Sequence, residues 1–305
     1  MNPETLDQVT IVLDPTAQSL LALAIMMMMF AIALGLKREH FSFLRDAPGQ
    51  FWGGLAAQII GLPAITLALA AIINASPSIA LGMIVVAACP GGNVSNFMTH
   101  AARGDTAYSV SLTAGSSVIA AFWTPAAILF WSGLYPPTAD LLETINFNRP
   151  VFIMQTTALL AGPLAAGMVT AHYLPKLSDR IRSPLAMLGA AILAFVIISG
   201  VLGFWPLIKA SWMLIAVPVV AHNAAAFALG AGAGRLISKD IARQRSLTFE
   251  VGIQNAGLAV VLLLGQLNGL GGAAAIAAVW GVWHFVSGGA MIAFFRFLDW
   301  RKARQ

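Results

Sequence analysis

The sequence predicts an all-α polytopic membrane protein with nine transmembrane helices and no separate soluble domain. Composition is the first ground: 59% of its 305 residues are hydrophobic and only 10% charged, with a mean hydropathy of +0.82, whereas soluble domains carry roughly 25% charged residues. Periodicity is the second: apolar runs of about 20 residues, the length that crosses a bilayer as a helix, recur along the chain. The third is the placement of the basic residues, which orders the runs in space. The longest interruption, between Gly133 and Arg149, is too short for a folded domain. Residues 1–305 are therefore read as one membrane domain.

The nine runs lie near 17–36, 49–73, 79–102, 107–133, 149–173, 183–204, 211–234, 246–267 and 271–295. The residues before the first run are acidic (Glu4, Asp7 and Asp14), and the basic pair Lys37 and Arg38 follows it. A cleavable signal has the opposite order, so a retained helix with an external N-terminus is expected. With nine crossings, 15 of the 17 Lys and Arg residues fall in cytoplasmic segments, and only Arg149 and Lys209 lie outside. This is the pattern of the positive-inside rule; it places the C-terminus in the cytoplasm and the protein in the cell (inner) membrane. The same dispersed loop charges account for a pI near 9.8, and no basic face for nucleic acid is predicted. The one cysteine, Cys89, permits no intramolecular disulfide.

Eleven of the 12 acidic residues sit in tails, loops or span ends, and the exception is Glu250 in the eighth run. A charge at mid-bilayer costs about 2.5–3.5 kcal/mol on insertion scales. No Lys or Arg lies inside a span, so its partner is expected to be a proton or a bound cation. Two runs read as broken helices. Cys89-Pro90-Gly91-Gly92-Asn93-Val94-Ser95-Asn96 interrupts the third, where Pro90 removes a backbone donor. Glu250-Val251-Gly252-Ile253-Gln254-Asn255-Ala256-Gly257 interrupts the eighth. Unwound backbone at membrane depth is tolerated where it is buried in protein or lines a cavity. Interrupted spans at matching places in two halves point to a transporter site. The halves match if the unit is five helices and the first lacks its initial one: repeat one covers about 17–133 and repeat two about 149–295. An odd number of helices inverts the second unit.

Other polar residues fall within the spans: Gln58 before Pro63, Ser109 and Thr113 at i, i+4 on one face, His222 and Asn223 in the seventh, and His284 and Ser287 in the ninth.

The two broken-helix motifs, Ala-Arg-Gly-Asp at 102–105, Trp283-His284 and Ser287-Gly288 resemble the bile acid:sodium symporter family over about residues 20–295. The resemblance implies core and panel domains, two discontinuous helices that cross in the core, and two Na+ sites beside the crossing. By position, Ser95, Asn96, Ser109, Thr113 and Glu250 would form the first. Gln58, Glu250, Gln254 and the backbone oxygens of Val251 and Ile253 would form the second. Substrate would meet Asn93, Asn255, His284 and Ser287. Phe285 stands where family members that bind bile acids have asparagine, so a small carboxylate such as a keto acid or a pantoate-like compound is as compatible as a sterol acid. The implied function is sodium symport of an organic anion by alternating access across the lipid bilayer.

Proton coupling with Glu250 as the proton site is the alternative within that class. A membrane enzyme finds no support, since there are no paired carboxylates, no zinc-protease motif and no phosphate loop with lysine. Gly230-Ala-Gly232-Ala-Gly234 ends a span and lacks the strand–helix context of a nucleotide loop. A non-transporting receptor would be expected to lack a sodium ligand, and none is missing.

Overall fold

The computed structural model describes Asp7, 14–145, 148–203, Lys209, 211–267 and 269–304. Glu4 and the last residue of the 183–204 run lie outside this set. Every regular element described is a helix, and one isolated β-bridge pairs Gly91 with Gln254. We number the helices α1 (Pro15–Leu34), α2 (Pro48–Ile72), α3 (Pro77–Ala88), α4 (Asn93–Ala101), α5 (Thr106–Gly133), α6 (Pro136–Thr144), α7 (Arg149–Tyr173), α8 (Pro175–Gly203), α9 (Trp212–Ile237), α10 (Ile241–Gly252), α11 (Ala256–Gly265) and α12 (Gly271–Lys302).

Six of these, α1, α2, α5, α7, α9 and α12, are long and apolar enough to cross a membrane, and α3 and α11 are shorter apolar helices. The chain is a multi-pass membrane protein. Large apolar side chains such as Ile72, Phe122, Met187, Phe195 and Val217 point outward. That is a tolerable surface in lipid and an unfavourable one in water.

Local sequence sets the helix ends. The carboxylate of Asp14 accepts from the N–H groups of Thr16 and Ala17, with Pro15 opening the first turn of α1. Asp105 and Asp240 cap α5 and α10 in the same way. Within α2, Pro63 cannot supply the N–H that an α-turn would direct to the carbonyl of Ile59. The helix widens into a π-turn over Ala57–Gly61, and Gln58 within it is buried.

Several helices exceed the expected runs, α8 and α12 by the most. α8 begins at Pro175, so Lys176, Arg180 and Arg182 sit on helix, and α12 continues to Lys302. A hydropathy run ends where charge begins, but the hydrogen-bonded ladder does not. The polar stretch 133–149 also contains α6, held at its start by Thr138 Oγ1 donating to the carbonyl of Ser132 at 2.6 Å.

Small residues let backbones approach closely, one of the routes to packing where lipid is as apolar as the side chains. A Cβ on Gly230 would lie 2.6 Å from the carbonyl oxygen of Leu247, and one on Gly234 would lie 3.0 Å from Cα of Gln244. The glycine run at 230–234 thus seats α9 on α10. Elsewhere α1 packs on α7 and α8, and α3 on α12. At one end of the molecule Arg245 binds Asp299 of α12 through both oxygens and donates to the carbonyl of Ala102 at 2.8 Å.

Candidate functional site

The two breaks meet. α3 ends at Ala88 and α4 begins at Asn93; α10 ends at Gly252 and α11 begins at Ala256. Between them the backbones pair as a short antiparallel ladder. Gly92 N–H donates to the carbonyl of Ile253 at 3.3 Å, and Asn255 N–H donates to that of Pro90 at 2.9 Å. Each unwound segment thereby satisfies the other's polar groups, as membrane depth requires. Glycine at 91 leaves room for the side chains at the crossing, because a Cβ there would lie 2.8 Å from Gln58 Nε2 and 3.0 Å from Glu250 Oε2. Asn223 of α9 supports the second break by donating from Nδ2 to the carbonyl of Gly252 at 2.8 Å. Its neighbour His222 faces Thr66 of α2 instead, at 2.8 Å.

Glu250 is fully buried at the end of α10. Ser95 Oγ of α4 and Ser109 Oγ of α5 each lie 2.5 Å from Glu250 Oε1. Thr113 Oγ1 lies 3.0 Å from Oε1 and 2.9 Å from Oε2. Asn96 Oδ1 closes the group at 2.8 Å from Ser109 Oγ and 3.2 Å from Thr113 Oγ1. Each hydroxyl has one proton and two lone pairs. Three protons are therefore shared among the carboxylate, the amide oxygen, the carbonyl of Gly92 (2.8 Å from Ser95 Oγ) and the carbonyl of Ser109 (3.1 Å from Thr113 Oγ1). Acceptors outnumber donors, and no Lys or Arg forms an ion pair with Glu250 among the described residues. Five side chains from three helices thus converge as an oxygen-rich cage around one buried carboxyl group, with no cationic side chain to balance it among the described residues.

The second expected set gathers at the backbone carbonyl of Glu250. Gln58 Nε2 donates to the carbonyl of Glu250 at 2.9 Å, and Gln254 Nε2 to those of Glu250 and Val251 at 3.3 and 2.9 Å. The oxygens Oε1 of both glutamines are buried without a hydrogen-bond partner. An orphaned buried acceptor loses its hydration without replacement, at about 1–3 kcal/mol. Two in one place, beside the carbonyls of Val251 and Ile253, which accept from Gln254 Nε2 and Gly92 N–H and keep a second lone pair, suit a hard cation with oxygen ligands. The donor chemistry of both sets fits sodium. No group of three or more His, Cys, Asp or Glu, as a transition metal would favour, occurs among the described residues.

A cavity of about 1000 Å³ opens against the crossing. Asn93, Asn255 and His284 line it, as do Asn96, Thr113 and Gln254 from the two oxygen sets. His284 is 5% exposed, and neither of its ring nitrogens has a hydrogen-bond partner. Asn255 turns its Oδ1 back onto Leu258 N–H at 3.0 Å as the cap of α11, leaving its amide nitrogen for a ligand. Phe285 lines the cavity beside His284. Ser287 is not among the lining residues, and its hydroxyl lies 3.2 Å from the carbonyl of Trp283 in its own helix.

The opposite wall was not anticipated from sequence. It comes from α1 with Met28 and Ile32, from Gly35 at its C-cap, and from α8, where Arg182, Ala186, Ala190, Ala194 and Ile198 recur at every fourth residue. The i, i+4 spacing was available to find this stripe, but small residues give a weak amphipathic signal.

The model of the Sodium Bile acid symporter family matches residues 22–209. The uncharacterized sodium-dependent transporter YocS of Bacillus subtilis is 29% identical over 266 residues, covering 87% of this chain and 79% of that protein. A probable sodium/metabolite cotransporter of Arabidopsis thaliana chloroplasts, BASS1, is 28% identical over 238 residues, 77% of this chain and 56% of its own length. The human ileal sodium/bile acid cotransporter is 22% identical over 250 residues, covering 81% of this chain and 69% of that protein. The chain thus spans just over half the length of the plant relative.

Proposed function

The chain belongs to the sodium bile acid symporter family, and from that premise we propose that it carries an organic anion across the cell membrane with two sodium ions by alternating access. The convergence of Ser95, Asn96, Ser109 and Thr113 on the buried carboxylate of Glu250 is the observation that carries this reading. One ion occupies that cage. The other takes the free oxygens of Gln58 and Gln254, together with Glu250 and the carbonyls of Val251 and Ile253. The first ion ties α4 and α5 to α10, and the second ties α2 to the second break, so sodium occupancy fixes the geometry of the crossing.

The anion then meets the start of α4 at Asn93, the amide of Asn255 and the ring of His284. The first turn of α4 has no side-chain cap, because Gly92 stands at its N-cap. Ser95 N–H turns onto the carbonyl of Gly92 at 2.9 Å, and the N–H groups of Asn93 and Val94, with the positive end of the helix, are left for a carboxylate or sulfonate. Ser287 serves the substrate only if α12 turns. The chain crosses the bilayer nine times as two inverted units, with the N-terminus outside and the C-terminus in the cytoplasm. The crossing belongs to a core that moves against a panel built from α1, α7 and α8. Two cations with one monovalent anion move net positive charge inward, which gains about 2.3 kcal/mol per charge at 100 mV.

Thermal unfolding of the purified protein in sodium against potassium tests the reading. Sodium at about 100 times its Kd is expected to stabilise by about 2.7 kcal/mol, and Glu250→Ala and Glu250→Gln are expected to abolish the difference. Equal stability of a folded parent chain in both salts, with uptake that follows pH alone, would replace sodium by a proton at Glu250.

A further inference from the structure

One end of the cavity carries a cation that the sodium-and-crossing scheme does not use. Arg182 lines it one turn before Ala186 on α8, with Ser183 and His40 beside it. The guanidinium lies across the C-terminal end of α1: a Cβ built on Gly35 would fall 2.9 Å from its Nη1 and 3.0 Å from its Cδ. The partial negative charge at a helix C-terminus favours a cation there, which fixes the position of Arg182 without neutralising it. Ser178 Oγ already donates to the carbonyl of Leu34 at 2.8 Å. No carboxylate forms an ion pair with Arg182 among the described residues. A planar, permanently charged fork that faces a cavity suits a carboxylate or sulfonate held through two parallel hydrogen bonds. His284, buried with both ring nitrogens unpartnered, marks the same cavity as built for a polar ligand.

We propose that Arg182 forms an anion-binding subsite for a carboxylate or sulfonate at the mouth of this cavity, distinct from the start of α4, and selects anionic over neutral or cationic solutes. The proposal rests on reading the cavity as the substrate path. The alanine stripe below Arg182 then leaves room for the apolar body of the solute.

Thiol labelling separates the two claims without knowledge of the substrate. Ala186→Cys places a reactive group one turn from Arg182; the chain's own Cys89 is buried and serves as the unlabelled background. Labelling rates are measured with an anionic sulfonatoethyl methanethiosulfonate and a cationic trimethylammonium-ethyl methanethiosulfonate. Adding Arg182→Gln is expected to lower the ratio of anionic to cationic rates about tenfold, the size expected for one charge at side-chain distance in a partly hydrated site. Saturation of the anionic rate with reagent concentration should be lost as well. Sodium-specific thermal stabilisation is read on the same samples and is expected to be unchanged. An unchanged rate ratio, or a thiol that neither reagent reaches, would overturn the subsite and leave sodium coupling intact. Loss of the sodium effect in the parent chain would overturn sodium coupling instead, with the rate ratio still reporting on Arg182.

Discussion

The two breaks are paired in space but built differently. The first, between α3 and α4, has Pro90, Gly91 and Gly92 and no charge; its second half-helix starts from a glycine without a side-chain cap. The second, between α10 and α11, has Glu250 and Gln254, and its second half-helix starts from Asn255, which caps Leu258 N–H itself. Its first half-helix is also fastened at the far end, where Arg245 grips Asp299 and stacks over Phe295, 5.1 Å from the ring centre. The first break therefore contributes close approach and an open helix start, and the second contributes charge and anchorage. Ligands need both: a cation requires the carboxylate to be fixed, and an anion requires N–H groups that nothing else has taken.

This division can be broken deliberately. The largest effect is expected from Gly91→Ala, whose new methyl would crowd Gln58 Nε2 and Glu250 Oε2, while Gly92→Ala meets nothing closer than 3.4 Å. The first is expected to weaken sodium binding by more than tenfold, about 1.4 kcal/mol or more, and the second by less than twofold, both read from sodium titrations of thermal stability. Equal effects would mean that Gly91 has no special role. Asp299→Asn is expected to cost about 2 kcal/mol, as loss of a charge-assisted pair to a nearly buried arginine. The readout is the unfolding midpoint in potassium, where no sodium contributes. Asn255→Ala is expected to cost about 1 kcal/mol as a lost helix cap. Asn93→Ala, at the other helix start, should leave stability in potassium within about 0.5 kcal/mol, the range of substitutions that remove no cap or core contact. A cap-sized loss at Asn93 would make the two starts equivalent and remove the case for an open one.

Much of this was legible because membrane depth makes sequence rules strict. Glu250 stands out since an acid inside an apolar run needs a partner, and Pro90 with its glycines stands out since the ladder must stop there. The end of α5 was found within a residue because hydropathy and helix end together at Gly133. The start of α8 was misjudged by eight residues, because Lys176, Arg180 and Arg182 end the apolar run while the helix passes through them. The same charges, read only as markers of topology, concealed that Arg182 faces the cavity. The family resemblance supplied a role for Gln58, but the π-turn that buries it follows from Pro63 acting one turn upstream, a backbone effect without a hydropathy signature.

The ladder between the breaks also bears on how the chain is assembled. Ser95 and Glu250 are 155 residues apart, so α4 enters the membrane well before its partner has been synthesised. Until α10 and α11 arrive, the carbonyl of Pro90 and the N–H of Gly92 lack the partners they have in the finished protein. Interrupted backbone in lipid has to be covered by protein or water. An assembly intermediate therefore has to shelter the first break with water, another protein or a provisional contact. A chain truncated before residue 241 would keep that break without the segment that completes it. Such a fragment is expected to be cleared by membrane proteolysis faster than one truncated after residue 265, which places the commitment to a stable fold late in synthesis.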